Sequence, residues 1–207
     1  MIKRIIFDLD NTLIMWKDEY LEAIKTAIKE YKIVDDYKYL SALIDEYDNE
    51  FRYYDKKLMV DFINKHIKSK ITIEFLDRFL NLFGSMSDKS IEVIDILEYL
   101  SKKYELVVLT NWFKEPQCNR LKKAKIYKYF KEVIGGEEYM KPDKKAFKKA
   151  CGSNKISECL MIGDDYNKDI KGALEVGLSV IYFNYKKNDN PLQVKEIKEF
   201  KKLKEVL

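Results

Sequence analysis

The second half of the 207-residue chain alternates between short runs of branched aliphatic residues and longer segments whose apolar residues recur at helical spacing. Strands are expected at residues 106–109, near Val133, at 160–162 and at 179–183, and helices begin between them at about Glu115, Lys144 and Asn167. When strands and helices alternate along a chain, the successive strands form a parallel sheet with helices on both faces. The alternation therefore predicts an α/β fold.

A further strand is predicted at the start of the chain, where residues 3–9 read KRIIFDL. Residues 16–83 differ in character, because their apolar residues recur at helical spacing and they contain neither glycine nor proline. About four helices are expected there. The prediction is a Rossmann-like core domain, residues 1–15 and 86–207, interrupted by an all-α subdomain, residues 16–85. A hinge, predicted at Gly84, Ser85, Ser87 and Asp88, precedes a helix at residues 90–103.

Composition limits the class of protein. The residues are 46% apolar and 14% aromatic, which argues against disorder, and the apolar runs are too short to span a membrane. The charge of +4 comes from 39 basic and 35 acidic residues interspersed along the chain, so we expect no nucleic-acid or membrane partner. A signal peptide is not recognisable, and a cytoplasmic monomer or homodimer is expected. Cys118, Cys151 and Cys159 are too widely spaced to indicate a zinc site or a disulfide framework.

Polar side chains cluster where the predicted strands end. They are Asp8 and Asp10 after the first strand, Thr110 and Asn111 after the second, Lys141 after the third, and Asp164, Asp165 and Asp169 after the fourth. In open parallel sheets, ligands bind beyond the carboxyl ends of the strands. We therefore expect these distant segments to meet in one crevice.

The number of carboxylates in that crevice calls for cations. Two carboxylates about 4 Å apart repel by roughly 4 kcal/mol at an effective dielectric constant near 20. Mg²⁺ meets this need, because it takes a few oxygen ligands together with water and a substrate phosphate. Lys141 could balance further charge near Asp8. The residues thus predict a magnesium site with an adjacent lysine.

Four segments together resemble a known family. FDLDNTL at 7–13, VLTN at 108–111, KPD at 141–143 and GDDYNKD at 163–169 are similar, in order and position, to the four motifs of the haloacid dehalogenase-like hydrolase superfamily. The helical insert at residues 16–85 is similar to that family's α-helical cap, which lies between the first and second motifs. The resemblance covers nearly the whole chain and implies a phosphatase of a small phosphorylated metabolite.

The resemblance also implies a role for each motif residue. Asp8 is expected to be the nucleophile that forms an aspartyl phosphate, and Asp10 the general acid that then acts as base. Thr110, backbone amides near Asn111, and Lys141 are expected to bind the phosphoryl oxygens. The implied magnesium ligands are Asp8, the backbone carbonyl of Asp10, and Asp164, with Asp165 or Asp169 supporting the metal directly or through water.

Several alternatives remain open. A 2-haloacid dehalogenase of the same superfamily needs no acid at the position of Asp10, since halide leaves without a proton. A sugar-phosphate mutase commonly has glycine where this chain has Asn11, and an acidic residue where it has Met15-Trp16-Lys17. DLDNT resembles the first motif of nucleotidase-like and sugar-phosphatase-like members of the superfamily, which implies a nucleotide or sugar phosphate as substrate. Trp16 and Trp112 are either pocket residues or packing residues under the cap.

Two alternatives come from other classes of protein. A phospho-acceptor signalling domain also uses aspartate, Mg²⁺, threonine and lysine on a parallel sheet, but it is shorter and carries its acceptor on the third strand. A catalytically idle binding protein could keep the fold. The complete set of motif residues argues against the idle protein.

Overall fold

The structure is a computed structural model that describes residues 1–86 and 91–207. The described residues form a six-stranded sheet in the order β3-β2-β1-β4-β5-β6, and every pair is parallel. The strands are β1 (Arg4–Phe7), β2 (Glu105–Leu109), β3 (Glu132–Ile134), β4 (Cys159–Gly163), β5 (Ser179–Phe183) and β6 (Glu196–Ile197). This confirms the predicted α/β fold with a parallel sheet.

The register of the sheet brings the motif residues to one edge. Phe7, the last residue of β1, lies opposite Val108 of β2 and Ile162 of β4. The backbone N–H of Asp8 continues the ladder by donating to the carbonyl of Ile162 at 2.9 Å. Because parallel strands end at the same edge, the residues that follow β1, β2 and β4 emerge side by side.

Helices cover both faces of the sheet. They are α5 (Ile91–Ser101), α6 (Lys114–Lys123), α7 (Lys144–Cys151), α8 (Gly172–Leu174) and α9 (Leu203–Val206). Side chains of a strand point alternately to the two faces. Accordingly, Ile5 and Phe7 pack in one apolar layer with α5 and the C-terminal tail, while Ile6 packs in the other with α7 and α8.

The cap consists of four helices within residues 16–86. They are α1 (Lys17–Glu30), α2 (Tyr37–Phe51), α3 (Lys56–Ile63) and α4 (Ile73–Ser85). The N-cap residues of α2, α3 and α4 are Asp36, Asp55 and Thr72. Each of these side chains accepts a hydrogen bond from a backbone N–H of the first turn. The apolar faces of the four helices enclose a core of their own, which also takes in Trp112, Phe113 and Met140 from the sheet domain.

Some details differ from the expectations. Gly84 and Ser85 belong to α4 and are not a hinge loop, whereas Ser87 and Asp88 lie outside the described residues. The helix expected from Asn167 begins as a π-helical segment, Tyr166–Lys171, that leads into α8. A strand absent from the sequence-based expectations, β6, lies in the C-terminal tail, which then packs on the core. Two residues are too few for periodicity to reveal such a strand.

In the ranges 1–86 and 91–207, no helix combines the length and the apolar character needed to cross a lipid bilayer.

Candidate active site

Lys141 joins two acidic side chains beneath the edge of the sheet. Its Nζ atom lies 2.5 Å from Oδ1 of Asp8 and 2.7 Å from Oδ1 of Asp169. All three side chains are almost completely buried. Burial alone would lower the pKa of Lys141, but Asp169 and Asp8 together raise it above its ordinary value. The lysine is therefore a fixed positive charge at this site.

A third carboxylate completes an acidic cluster. Carboxylate oxygens of Asp8, Asp164 and Asp169 all lie within 4.8 Å of one another. Burial, assisted by neighbouring carboxylates, raises the pKa of Asp8 to about 7 against the effect of Lys141. Burial and the nearby Asp8 raise the pKa of Asp164 to about 7 as well. Lys141 alone cannot balance the charge of three ionised carboxylates. A divalent cation suits this set of oxygen donors.

Asp165 and Gly163 shape the acidic loop. The Asp165 carboxylate accepts hydrogen bonds from the backbone N–H groups of Asn167 and Lys168 and begins the π-helical segment. The N–H of Asp165 donates to Oδ2 of Asp169 at 3.0 Å. A Cβ atom on Gly163 would lie 2.2 Å from that oxygen, so only glycine leaves room for Asp169 here. Of the two supporting aspartates considered, Asp169 lies in the cluster and Asp165 caps the segment.

The Asp10 carboxylate is held by side chains of α6. Its Oδ1 atom accepts from Arg120 Nη1 at 2.5 Å, and its Oδ2 atom accepts from Gln117 Nε2 at 2.6 Å. Arg120 and Gln117 are both fully buried, whereas the Asp10 side chain is 27% exposed. The Asp10 carboxylate is therefore fixed on one side and open to the crevice on the other.

Thr110 and Asn111 follow β2 at the same edge. The Thr110 hydroxyl accepts a hydrogen bond of 2.9 Å from Gln117 Nε2. The Asn111 side chain is occupied in another way: it donates to the backbone carbonyl of Lys141 and accepts from its N–H, both at 2.7 Å. Asn111 thus fixes the segment that carries Lys141, and its own amide group is committed to that backbone.

A cavity of about 760 Å³ lies between the cap and these residues. Trp16, Tyr20 and Trp112 line it, together with Asp45 and Asp48 of α2. Burial raises the pKa of Asp48 to about 6. Tyr54 is a hydrogen-bond partner of the Asp48 side chain, whereas the buried Trp112 Nε1 has no partner among the described residues. Aromatic and acidic side chains therefore line the cavity together.

The structure brings all the motif residues to one end of the cavity. Asp8, Asp10, Thr110, Asn111, Lys141, Asp164 and Asp169 line it, and Trp16 and Trp112, for which packing was the alternative, line it too. The sequence did not single out Gln117 and Arg120. Both lie on the face of α6 turned toward Asp10, and a polar pair in an otherwise core-facing position was the signal available.

A family model of haloacid dehalogenase-like hydrolases matches residues 5–183. The chain belongs to this family. The glyceraldehyde 3-phosphate phosphatase of Pyrococcus abyssi is 28% identical over 202 residues, which cover 90% of this chain and 83% of that protein. The pyrimidine 5'-nucleotidase PynA of Streptococcus pneumoniae is 27% identical over 207 residues, which cover 88% and 84%. The predicted family and enzyme class, a phosphatase of haloacid dehalogenase-like type, are confirmed.

A solved structure supports the fold of this haloacid dehalogenase-like chain. The putative hydrolase YfnB from Bacillus subtilis, bound to magnesium, superposes with a TM-score of 0.76 over 100% of this chain and 98% of that one. The two sequences are 18% identical, so this likeness establishes the shared fold alone.

Proposed function

We propose that the chain is a Mg²⁺-dependent phosphomonoester hydrolase that forms an aspartyl phosphate on Asp8 and releases a small hydroxylated metabolite. The observation that carries this proposal is the pairing of Asp8 with Lys141 at 2.5 Å, next to two further carboxylates and open to a large cavity. A buried carboxylate that must attack a phosphate dianion needs positive charge beside it.

Each motif residue has one task in this reaction. A carboxylate oxygen of Asp8 attacks phosphorus, and the bond from phosphorus to the leaving oxygen breaks. Asp10 gives its proton to that oxygen and, as a carboxylate, later takes a proton from the water that hydrolyses the acyl phosphate. Lys141 and Thr110 stabilise charge on the phosphoryl oxygens. Two easier displacements replace one difficult step.

Asp8 and Asp164 would hold the magnesium ion, with the backbone carbonyl of Asp10 and with Asp169 in support. When bound, the ion would supply positive charge to the phosphoryl group and offset the repulsion among the carboxylates. Burial raises the pKa of Asp8 and of Asp164 to about 7, and a bound cation would offset the cost of ionising these two carboxyl groups there. Lys186 contributes little compensating charge, since its Nζ lies 3.4 Å from Asp164 and its side chain is 49% exposed.

The cavity supports a sugar phosphate or a nucleotide as substrate. Trp16 and Trp112 provide flat apolar surface, on which a sugar face or a base can stack. Asp45 and Asp48 line the same cavity with carboxyl groups to which hydroxyl groups of a leaving group can donate hydrogen bonds. The relatives named above include a phosphatase of a three-carbon sugar phosphate and a pyrimidine nucleotidase.

The alternatives fit the contacts less well. Dehalogenation gives no task to Asp10, yet two buried side chains fix this carboxylate. A signalling domain gives no task to the capped cavity joined to Asp8, and an idle binding protein gives no task to the contacts that fix the Asp10 carboxylate. A mutase shares the first transfer step with a hydrolase and differs only in what accepts the phosphoryl group. Product analysis separates these two.

The test uses p-nitrophenyl phosphate with the wild-type chain, with and without EDTA, and with Asp8→Asn. We expect hydrolysis that EDTA and Asp8→Asn each abolish, while Asp61→Asn, which alters an exposed carboxylate of α3, stays active. Borohydride reduction of acid-quenched enzyme should convert phosphorylated Asp8 to homoserine, which mass spectrometry detects. Turnover that survives both EDTA and Asp8→Asn would overturn the proposal. A panel of sugar phosphates and nucleoside monophosphates then identifies the substrate.

A further inference from the structure

Arg120 is the largest side chain that the fold buries completely. Its Nη1 atom donates to Asp10 at 2.5 Å and to Gln117 Oε1 at 2.8 Å. Its Nη2 atom donates to the backbone carbonyl of Met15 at 3.1 Å, and its guanidinium carbon lies 4.3 Å from the ring centre of Phe83. The guanidinium is thus held by α6, by the segment that enters the cap and by the helix that leaves it.

Burying an arginine is energetically costly unless its partners compensate for the lost hydration. Among the contacts described for Arg120, Asp10 is the carboxylate that provides compensation, and this ion pair joins residues 110 positions apart. Gln117 supports the same geometry, because its amide nitrogen donates to both Asp10 and Thr110 while its oxygen accepts from Arg120. The two α6 side chains fix both oxygens of Asp10.

From these contacts we infer that Arg120, together with Gln117, is a positioning residue that holds the Asp10 carboxyl group in place for proton transfer to the leaving oxygen. The inference rests on the proposed function, in which Asp10 gives up that proton as the bond from phosphorus to the leaving oxygen breaks. Neither side chain lines the cavity, so Arg120 acts through Asp10, and Gln117 through Asp10 and Thr110, rather than on the substrate itself. The guanidinium's contacts with Met15 and Phe83 also make the position of Asp10 depend on both cap connections.

The first readout is the dependence on the leaving group, measured as kcat/KM with Mg²⁺ for Arg120→Met. A well-placed general acid contributes about 10²- to 10⁴-fold, and mainly for leaving groups that need a proton. We expect a loss of about 10- to 100-fold for glycerol 2-phosphate, and a loss at least about fivefold smaller for p-nitrophenyl phosphate. Arg120→Lys should restore part of the activity. Arg78→Met, at an exposed cap ion pair with Glu30, is the control and should match wild type for both esters.

The second readout is a double-mutant cycle with Asp10→Asn, measured on glycerol 2-phosphate. If Arg120 acts through Asp10, Arg120→Met should cost less than about threefold in the Asp10→Asn background. Equal losses on both esters, together with additive losses in the cycle, would overturn the inference. Should Arg120→Met fail to fold, Arg120→Gln takes its place in both measurements with the same criteria. Failure of the proposed function would look different, because Asp8→Asn would then remain active.

Discussion

The ammonium of Lys141 lies between Asp8 and Asp169, 2.5 Å from one carboxylate oxygen and 2.7 Å from the other. The lysine enters from the loop before α7, Asp8 from the end of β1, and Asp169 from the segment after β4. One buried cation therefore ties together three segments that are distant in the sequence. It serves the fold and the proposed chemistry at once.

Replacement of this lysine tests both roles. Lys141→Met should destabilise the protein by about 3–5 kcal/mol, because it leaves two buried carboxylates without their partner. It should also lower kcat by about 10²-fold or more. Urea denaturation and steady-state kinetics measure the two effects. Lys149→Met removes an exposed ion pair with Glu138 and should change neither. Wild-type activity in Lys141→Met would contradict the proposed role.

A methyl group at Gly163 should displace Asp169. Since the added Cβ would lie 2.2 Å from Asp169 Oδ2, the carboxylate must move away from Lys141. A shift of about 1 Å in an active site can cost about 10²-fold in rate, and we expect Gly163→Ala to lose about that much. Gly177→Ala is the matched control: its φ of +88° makes the substitution cost about 1 kcal/mol of stability. Its catalytic activity should persist, and equal losses in the two variants would argue against the steric explanation.

Asp164 and the adjacent Asp165 should respond differently to magnesium. Ionised Asp164 is costly to bury beside Asp8, so Asp164→Asn should be more stable than wild type at pH 8 without metal. Mg²⁺ should raise the melting temperature of wild type, because it binds the native state, but not that of Asp164→Asn. Asp165→Ala should lose about 1 kcal/mol through its missing helix cap and keep the response to Mg²⁺. A thermal scan with and without MgCl₂ decides, and a lost response in Asp165→Ala would transfer the metal role to that residue.

Asp48 should make the stability of the fold depend on pH. Burial raises its pKa from about 3.8 to about 6, so the folded chain favours the neutral acid. The stability that neutral Asp48 contributes is complete below pH 4 and disappears as the pH rises to about 6. Asp48→Asn should therefore match wild type near pH 4 and exceed its stability by about 1–3 kcal/mol above pH 6.5.

Urea denaturation between pH 4 and pH 8 measures the effect at Asp48. Asp61→Asn, at an exposed carboxylate on α3, should follow the wild-type curve throughout. A constant difference between Asp48→Asn and wild type across that range would show that burial of Asp48 is not the cause.

The sequence was most informative where a single physical rule acts. β-branched runs such as residues 179–183 mark strands, and the edge at which parallel strands end determines where Asp8, Thr110 and Asp164 meet. The positions of these residues at the predicted strand ends are enough to predict that they meet, without knowledge of side-chain packing. The predicted convergence of these residues therefore agrees with the structure, although their chemical roles remain proposals.

The contacts that α6 makes with Asp10 could not be predicted by such rules. The Asp10–Arg120 pair spans 110 positions, and its formation depends on how α6 is rotated against the sheet. The capping role of Asp165 could not be predicted either. The motif GDD at residues 163–165 does not determine which of its two carboxylates accepts hydrogen bonds from the backbone. Side-chain direction at a loop follows from backbone dihedral angles that the residue types alone leave open.

Trp112, Phe113 and Met140 come from the sheet domain yet lie in the apolar core of the cap. An engineer who exchanged this cap for another by cutting at its two chain connections would leave those three side chains facing a foreign surface. A transplant that keeps both stability and a closed cavity would have to carry the residues after β2, and Met140 before Lys141, along with the helices. The set of residues that must be exchanged together to change specificity is thus larger than the inserted segment.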